Sequence, residues 1–66
     1  MAKSISLDNM TTGERVRLIR LLKHLDQTTV ALMAKVTQGD VSRLERNLKI
    51  DEKNIQRILA VLDLLD

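Results

Sequence analysis

The 66-residue chain contains no cysteine, no proline, no phenylalanine, tyrosine or tryptophan, and only two glycines. Without cysteine there is neither a disulfide nor a thiolate-held metal, and the composition suits a reducing compartment. Without aromatic rings there is no platform on which single-stranded bases could stack. No apolar run approaches the roughly 20 residues that span a membrane, and the first ten residues are mixed polar rather than signal-like. Internal repeats, low-complexity linkers and strand-like alternation are absent too, so nothing divides the chain. A chain of this length forms one domain with a marginal core.

What is present is charge, unevenly placed. The net charge is only +2, but from Arg15 to Lys49 eight basic residues face three acidic ones, while Asp51 to Asp66 carries four acids and two bases. A basic middle and an acidic end suit a module with one polyanion-facing surface. Scattered, solvated charge is the plainer account of the same numbers.

The spacing of apolar residues predicts an all-α domain of four helices, with a fifth allowed, over residues 11–66, preceded by an arm over residues 1–10. In the arm, Lys3 is placed to touch a phosphate, and Ile5 and Leu7 to fold back on the domain. Thr11 with Glu14 three residues later has capping-box spacing and starts a helix running to about His24. That helix carries Val16, Ile19, Arg20 and Lys23 on one side and Leu18, Leu21, Leu22 and Leu25 on the other, so it is apolar on two faces. Asp26 caps a second helix, Gln27 to about Ala34, with Val30 and Ala31 inward. Thr37 caps a third, Gln38 to about Arg46, with Asp40 at capping-box spacing and Asn47 suited to a left-handed end. Asp51 caps a fourth helix running nearly to the end, with Ile55, Ile58, Leu59, Leu62 and Leu65 at helical spacing. Val61 and Leu64 widen that stripe beyond what one core requires.

The second and third helices, joined by Val36-Thr37, read as a helix-turn-helix. Small Ala31 permits close helix approach, and Val41 and Leu44 plug the third helix into the core. Gln38, Gly39, Ser42 and Arg43 are then left facing outward, on the helix that lies in the DNA major groove in such a unit. Arg43 suits bidentate contact with guanine and Gln38 with adenine; the alternative for each is simple exposure. Gly39 permits close backbone approach. Asp40 suits a cap better than a cytosine acceptor, since a carboxylate near phosphates is costly.

Taken together, Gly13-Glu-Arg-Val and Arg20, Gln27, Val30-Ala31, Val36-Thr37-Gln38, Val41-Ser42-Arg43-Leu44-Glu45-Arg46 and Ile58-Leu59-Ala60-Val61-Leu62 resemble the phage repressor, Cro and Xre-like helix-turn-helix regulators. The resemblance runs from Gly13 to about Leu62. It implies a lambda-repressor-like domain and a DNA-binding transcriptional regulator, cytoplasmic and nucleoid-associated, bacterial or phage-encoded. By position it implies base reading by Gln38, Ser42 and Arg43, phosphate contacts from Gln27, Arg46, Asn47 and Lys49, and a buried ion pair between Arg20 and Glu45. Thr37 and Lys35 join the phosphate-facing set. Lys35 replaces the family's turn glycine, at a position where a left-handed backbone is costly for other residues. A fifth helix, common in the family, does not follow before Asp66.

A single such module binds weakly, so a homodimer on a palindromic double-stranded site is expected, with Leu18, Leu21, Leu22, Leu62, Leu64 and Leu65 as the candidate interface. Covering one another within a single chain is the alternative for these leucines. Two other classes stay open: a protein-binding adaptor of antitoxin or antirepressor type, and an architectural DNA-binding protein of little sequence preference. His24, near a helix end, serves the helix dipole. No nucleophile–base pair, carboxylate pair, metal cluster or phosphate-cradling loop accompanies it, so neither enzyme activity nor a cofactor or metal is expected.

Overall fold

In the computed structural model, residues 9–65 are described; Lys3, Ile5 and Leu7 of the expected arm, and Asp66, lie outside them. Four helices follow in order: α1 Thr12–Leu22, α2 Gln27–Ala34, α3 Gln38–Glu45 and α4 Glu52–Val61. Each begins at a side chain that satisfies an orphan amide. Thr11 accepts from the Glu14 amide at 3.1 Å while the Glu14 carboxylate accepts from the Thr11 amide at 2.8 Å, closing a capping box. Thr37 and Asp40 repeat that box on α3. Asp26 accepts from the Thr29 amide at 2.7 Å, and Asp51 from the Lys53 amide at 2.9 Å.

The four helices also end alike. His24, Lys35, Asn47 and Asp63 all have φ between 57° and 61°. In each case the amide of the next residue reaches back five positions, as Val36 does to the Ala31 carbonyl at 3.0 Å and Leu48 to the Arg43 carbonyl at 2.8 Å. These are Schellman ends, and the residue after the left-handed one is apolar every time: Leu25, Val36, Leu48 and Leu64. Three of those four pack against the core; Leu48 is exposed. This geometry explains why α1 stops at Leu22 rather than continuing to His24, and why α4 stops at Val61. The apolar pattern runs on past the last helical residue because the hydrophobic stripe and its cap share the same residues.

None of these four left-handed positions is glycine, which makes them a reservoir of stability. The left-handed conformation costs a residue with a Cβ about 1–2 kcal/mol. Glycine gives back about 0.5–1 kcal/mol through greater freedom in the unfolded chain. Lys35→Gly is therefore expected to stabilise the fold by about 0.5–1 kcal/mol, read as a higher urea midpoint at unchanged slope. Asn47→Gly should do less, because asparagine tolerates this conformation.

The core consists of Val16, Val30, Ala31, Ala34, Val41, Leu44, Ile58 and Leu62, with Ile19, Leu25, Val36, Ile50, Ile55, Leu59, Val61 and Leu64 packed against it. Packing of α2 on α3 and α4, and of α1 on α3, closes it. Leu62 is 1% exposed. It therefore belongs to the core and not to the candidate interface: the turn that ends α4 rolls it inward. Val61 and Leu64 also fold onto the core, which accounts for the width of their stripe. Leu21, Leu22 and Leu65 remain exposed and Leu18 half-buried.

Gly13 marks the tightest crossing. A Cβ built there would lie 2.1 Å from the Leu44 carbonyl oxygen and 2.8 Å from the Asn47 side-chain oxygen. The start of α1 thus rests directly on the last turn of α3.

Candidate nucleic-acid interface

The α2–α3 unit is set by its turn and by its buried face. Lys35 at φ 59° reverses the chain, Thr37 restarts it, and Val41 and Leu44 hold α3 down. Gln38 and Arg43 are exposed, and Gly39 and Ser42 are half-buried. Around them Lys35, Thr37, Arg46, Asn47 and Lys49 are exposed, and Gln27 is half-buried. Among the described residues the Arg46 guanidinium makes one long bond, 3.4 Å to the Ser42 carbonyl.

A continuous chain of hydrogen bonds joins the start of α3 to the interior. Gln38 Nε2 donates to Gln27 Oε1 at 2.7 Å, and Gln27 Nε2 donates to Glu45 Oε1 at 3.1 Å. Glu45 in turn accepts from Arg20 Nε at 2.6 Å and Arg20 Nη2 at 3.0 Å. Arg20 Nη1 donates to the Leu25 carbonyl at 2.9 Å. The ion pair is buried and bidentate, the strong form of an arginine–carboxylate contact. Hydrogen bonding to Glu45 raises the Arg20 pKa despite burial, keeping the guanidinium charged. Among the described residues no buried side-chain polar atom lacks a partner. Gln27 is thus tied to Gln38 and to the ion pair, a link that sequence spacing does not reveal.

Asp40 forms a second junction. Its carboxylate accepts from Arg43 Nη2 at 3.0 Å, from Asn54 Nδ2 of α4 at 3.2 Å and from the Thr37 amide at 3.4 Å. Asp40 therefore caps α3 and also holds Arg43. Asn54 escaped the sequence reading, since a residue 14 positions away on another helix leaves no local signal. Burial pulls the Asp40 carboxyl up, but Arg43 and the Thr37 bonds outweigh it, so its pKa is held below the ordinary aspartate value. The Thr29 amide and hydroxyl, opposed by slight desolvation and helped by Arg20, likewise lower that of Asp26.

A carboxylate with a depressed folded-state pKa stabilises the fold above its unfolded pKa and stops doing so as pH falls through its folded value. Stability should therefore decline as pH drops below roughly 4. Asp40→Asn and Asp26→Asn should each flatten that acid limb, and thermal melts across pH 2–7 would read it. Equal acid sensitivity in wild type and both variants would contradict these assignments.

A capped helix held face-down by Val41 and Leu44, with Gln38 and Arg43 outward, is the geometry of a groove-reading helix. A helix-turn-helix family model matches residues 16–65. The chain belongs to the Cro/C1-type helix-turn-helix family. No curated protein and no solved structure matches it. The protein is a DNA-binding helix-turn-helix regulator, of a family whose members are generally not enzymes. No helix among the described residues of this regulator is long and apolar enough to cross a membrane. Within the motif α3 is the second helix.

Proposed function

We propose that this regulator is a Cro-like repressor that binds a palindromic operator as a homodimer, each copy laying α3 in the major groove of one half-site. The observation that carries this reading is the outward row at the start of α3. Gln38, Gly39, Ser42 and Arg43 stand at helical positions that share one face, opposite buried Val41 and Leu44. Arg43 reads guanine and Gln38 adenine through bidentate contacts, and Ser42 supplies an adaptable hydroxyl. Close backbone approach falls to Gly39. Gln27, Lys35, Thr37, Arg46, Asn47 and Lys49 contact phosphate and set the register without reading sequence.

Two copies related by a twofold axis would read half-sites roughly 34 Å apart. Leu21, Leu22 and Leu65, flanked by Leu18 and Leu64, supply the interface in this reading. It is supported by the exposed 3.7 Å ion pair between Lys23 and Asp63, which shows the ends of α1 and α4 lying near each other. The same exposed leucines favour one second reading, an adaptor that binds a protein partner through them.

Selection of duplexes from a random pool, with complex stoichiometry from light scattering, tests the proposal. A palindrome carrying two chains is the expected result. Salt-sensitive binding with no enriched sequence would overturn it in favour of an architectural role. Leu21→Asp should abolish the two-chain complex while leaving the fold intact; unchanged stoichiometry would remove this face as the interface.

A further inference from the structure

The Arg43 guanidinium does not project freely from α3. It lies back over the first turn: a Cβ added to Gly39 would sit 3.3 Å from Nη1, 3.5 Å from Nη2 and 3.6 Å from Cζ. The guanidinium therefore lies against the place that a Cβ at residue 39 would take. Asp40 holds it there through Nη2, and Asn54 holds Asp40 from α4. The Asp40 side chain keeps only 15% of its exposure, whereas Arg43 keeps 46%. One partner is embedded in the scaffold and the other faces out.

We infer that Asp40, braced by Asn54 and given room by Gly39, is a positioning unit that fixes the Arg43 guanidinium over the N-terminal turn of α3 and so sets the base preference read there. This rests on the reading of α3 as a groove-reading helix. An arginine carries five N–H donors in a rigid planar fork. Asp40 takes one, and the remainder suffice for the O6 and N7 atoms of a guanine. An unrestrained arginine must give up rotamer freedom on binding, and it contacts phosphates as readily as bases. A restrained one enters the groove already aimed, so the restraint acts on discrimination more than on general affinity. The N-terminal turn is also the part of a recognition helix that meets base edges.

Gly39 separates this role from a structural one. Its backbone is not left-handed, so alanine is allowed there and favours the helix. The new methyl would press on the movable end of Arg43, which must give by a few tenths of an ångström. Gly39→Ala is therefore expected to melt at a higher temperature than wild type while its shifted Arg43 discriminates bases less well.

The test determines the preferred duplex for wild type, Arg43→Ala, Asp40→Asn, Asn54→Ala, Gly39→Ala and the Arg43→Ala/Asn54→Ala double variant. Side-chain nitrogen NMR of Arg43 without DNA runs in parallel. Arg43→Ala should flatten preference at one base pair, about tenfold or more. Asp40→Asn, Asn54→Ala and Gly39→Ala should flatten the same base pair, and the double variant should add nothing to Arg43→Ala. Guanidinium rotation of Arg43 should be slowed in wild type and freed in Asp40→Asn and Asn54→Ala. Asn54→Ala and Asp40→Asn binding all duplexes uniformly less well, with the preference intact, would overturn the inference while leaving Arg43 a reader. An unchanged preference in Arg43→Ala, or no preference in wild type, would instead bring down the reading of α3 on which it rests.

Discussion

Replacing Glu45 by alanine is expected to cost about 3–5 kcal/mol. The guanidinium of Arg20 would stay buried, held by the Leu25 carbonyl but without its counter-charge. A domain of 66 residues holds about 3–10 kcal/mol in total, so this single change consumes a large share of it or all of it. Gln27 would lose its acceptor as well, and with it the anchor of Gln38. Urea unfolding followed by helical circular dichroism reads the loss. A double variant, Arg20→Met with Glu45→Leu, removes both charges and should recover most of it, since a well-packed apolar pair replaces a buried ion pair at little cost. Recovery in the double variant would show that the penalty comes from the orphaned charge. A cost below about 1 kcal/mol for Glu45→Ala would mean that water reaches Arg20 freely.

The second large effect is expected at Gly13, where two principles oppose each other. Helix propensity favours alanine over glycine by at most about 1 kcal/mol. Against it stands a Cβ position 2.1 Å from the Leu44 carbonyl oxygen, which is backbone and cannot rotate away. Separation of α1 from α3 by an ångström or more would loosen Val16, Val41 and Leu44 together, at a cost of about 1–3 kcal/mol or somewhat more. The contact outweighs the propensity, and Gly13→Ala is expected to destabilise by about 2 kcal/mol net. Because the displaced element is the last turn of α3, the proposed recognition helix, DNA binding should weaken further than the loss of folded protein explains. Comparing the binding constant with the folded fraction at the same temperature separates the two. A neutral or stabilised Gly13→Ala protein would show that the α1–α3 crossing has room for a methyl group.

The glycines thus answer to different neighbours. Gly13 faces immovable backbone, and alanine there should destabilise. Gly39 faces the tip of a flexible arginine, and alanine there should stabilise and cost only recognition. No reading of composition distinguishes them. Lys35, which does need the backbone freedom of glycine, is not one.

Local chemistry was legible in the sequence. Thr11 with Glu14, Asp26, Thr37 with Asp40, and Asp51 announced four helix starts, because a cap acts within three residues of itself. The inward Val30, Ala31, Val41 and Leu44 and the outward Gln38 and Arg43 followed from helical period alone, and that pattern with its turn sufficed to identify the family. Helix ends were less legible: the left-handed residues at His24 and Asp63 are not glycine, so α1 and α4 end before their apolar stripes do.

Packing between distant elements decided the rest. Whether Leu62 covers its own chain or another depends on how α4 ends against α2, which no periodicity within α4 contains. Spacing likewise cannot bring Asn54 to Asp40, Gln27 to Glu45 or Gly13 to Leu44. Sequence by itself determined the helices, their caps and which face of α3 is polar, since those depend on neighbours within a turn. Only the tertiary structure decided which polar residues are held and by what, because a side chain's orientation is set by the partners that three-dimensional packing brings within a hydrogen bond of it.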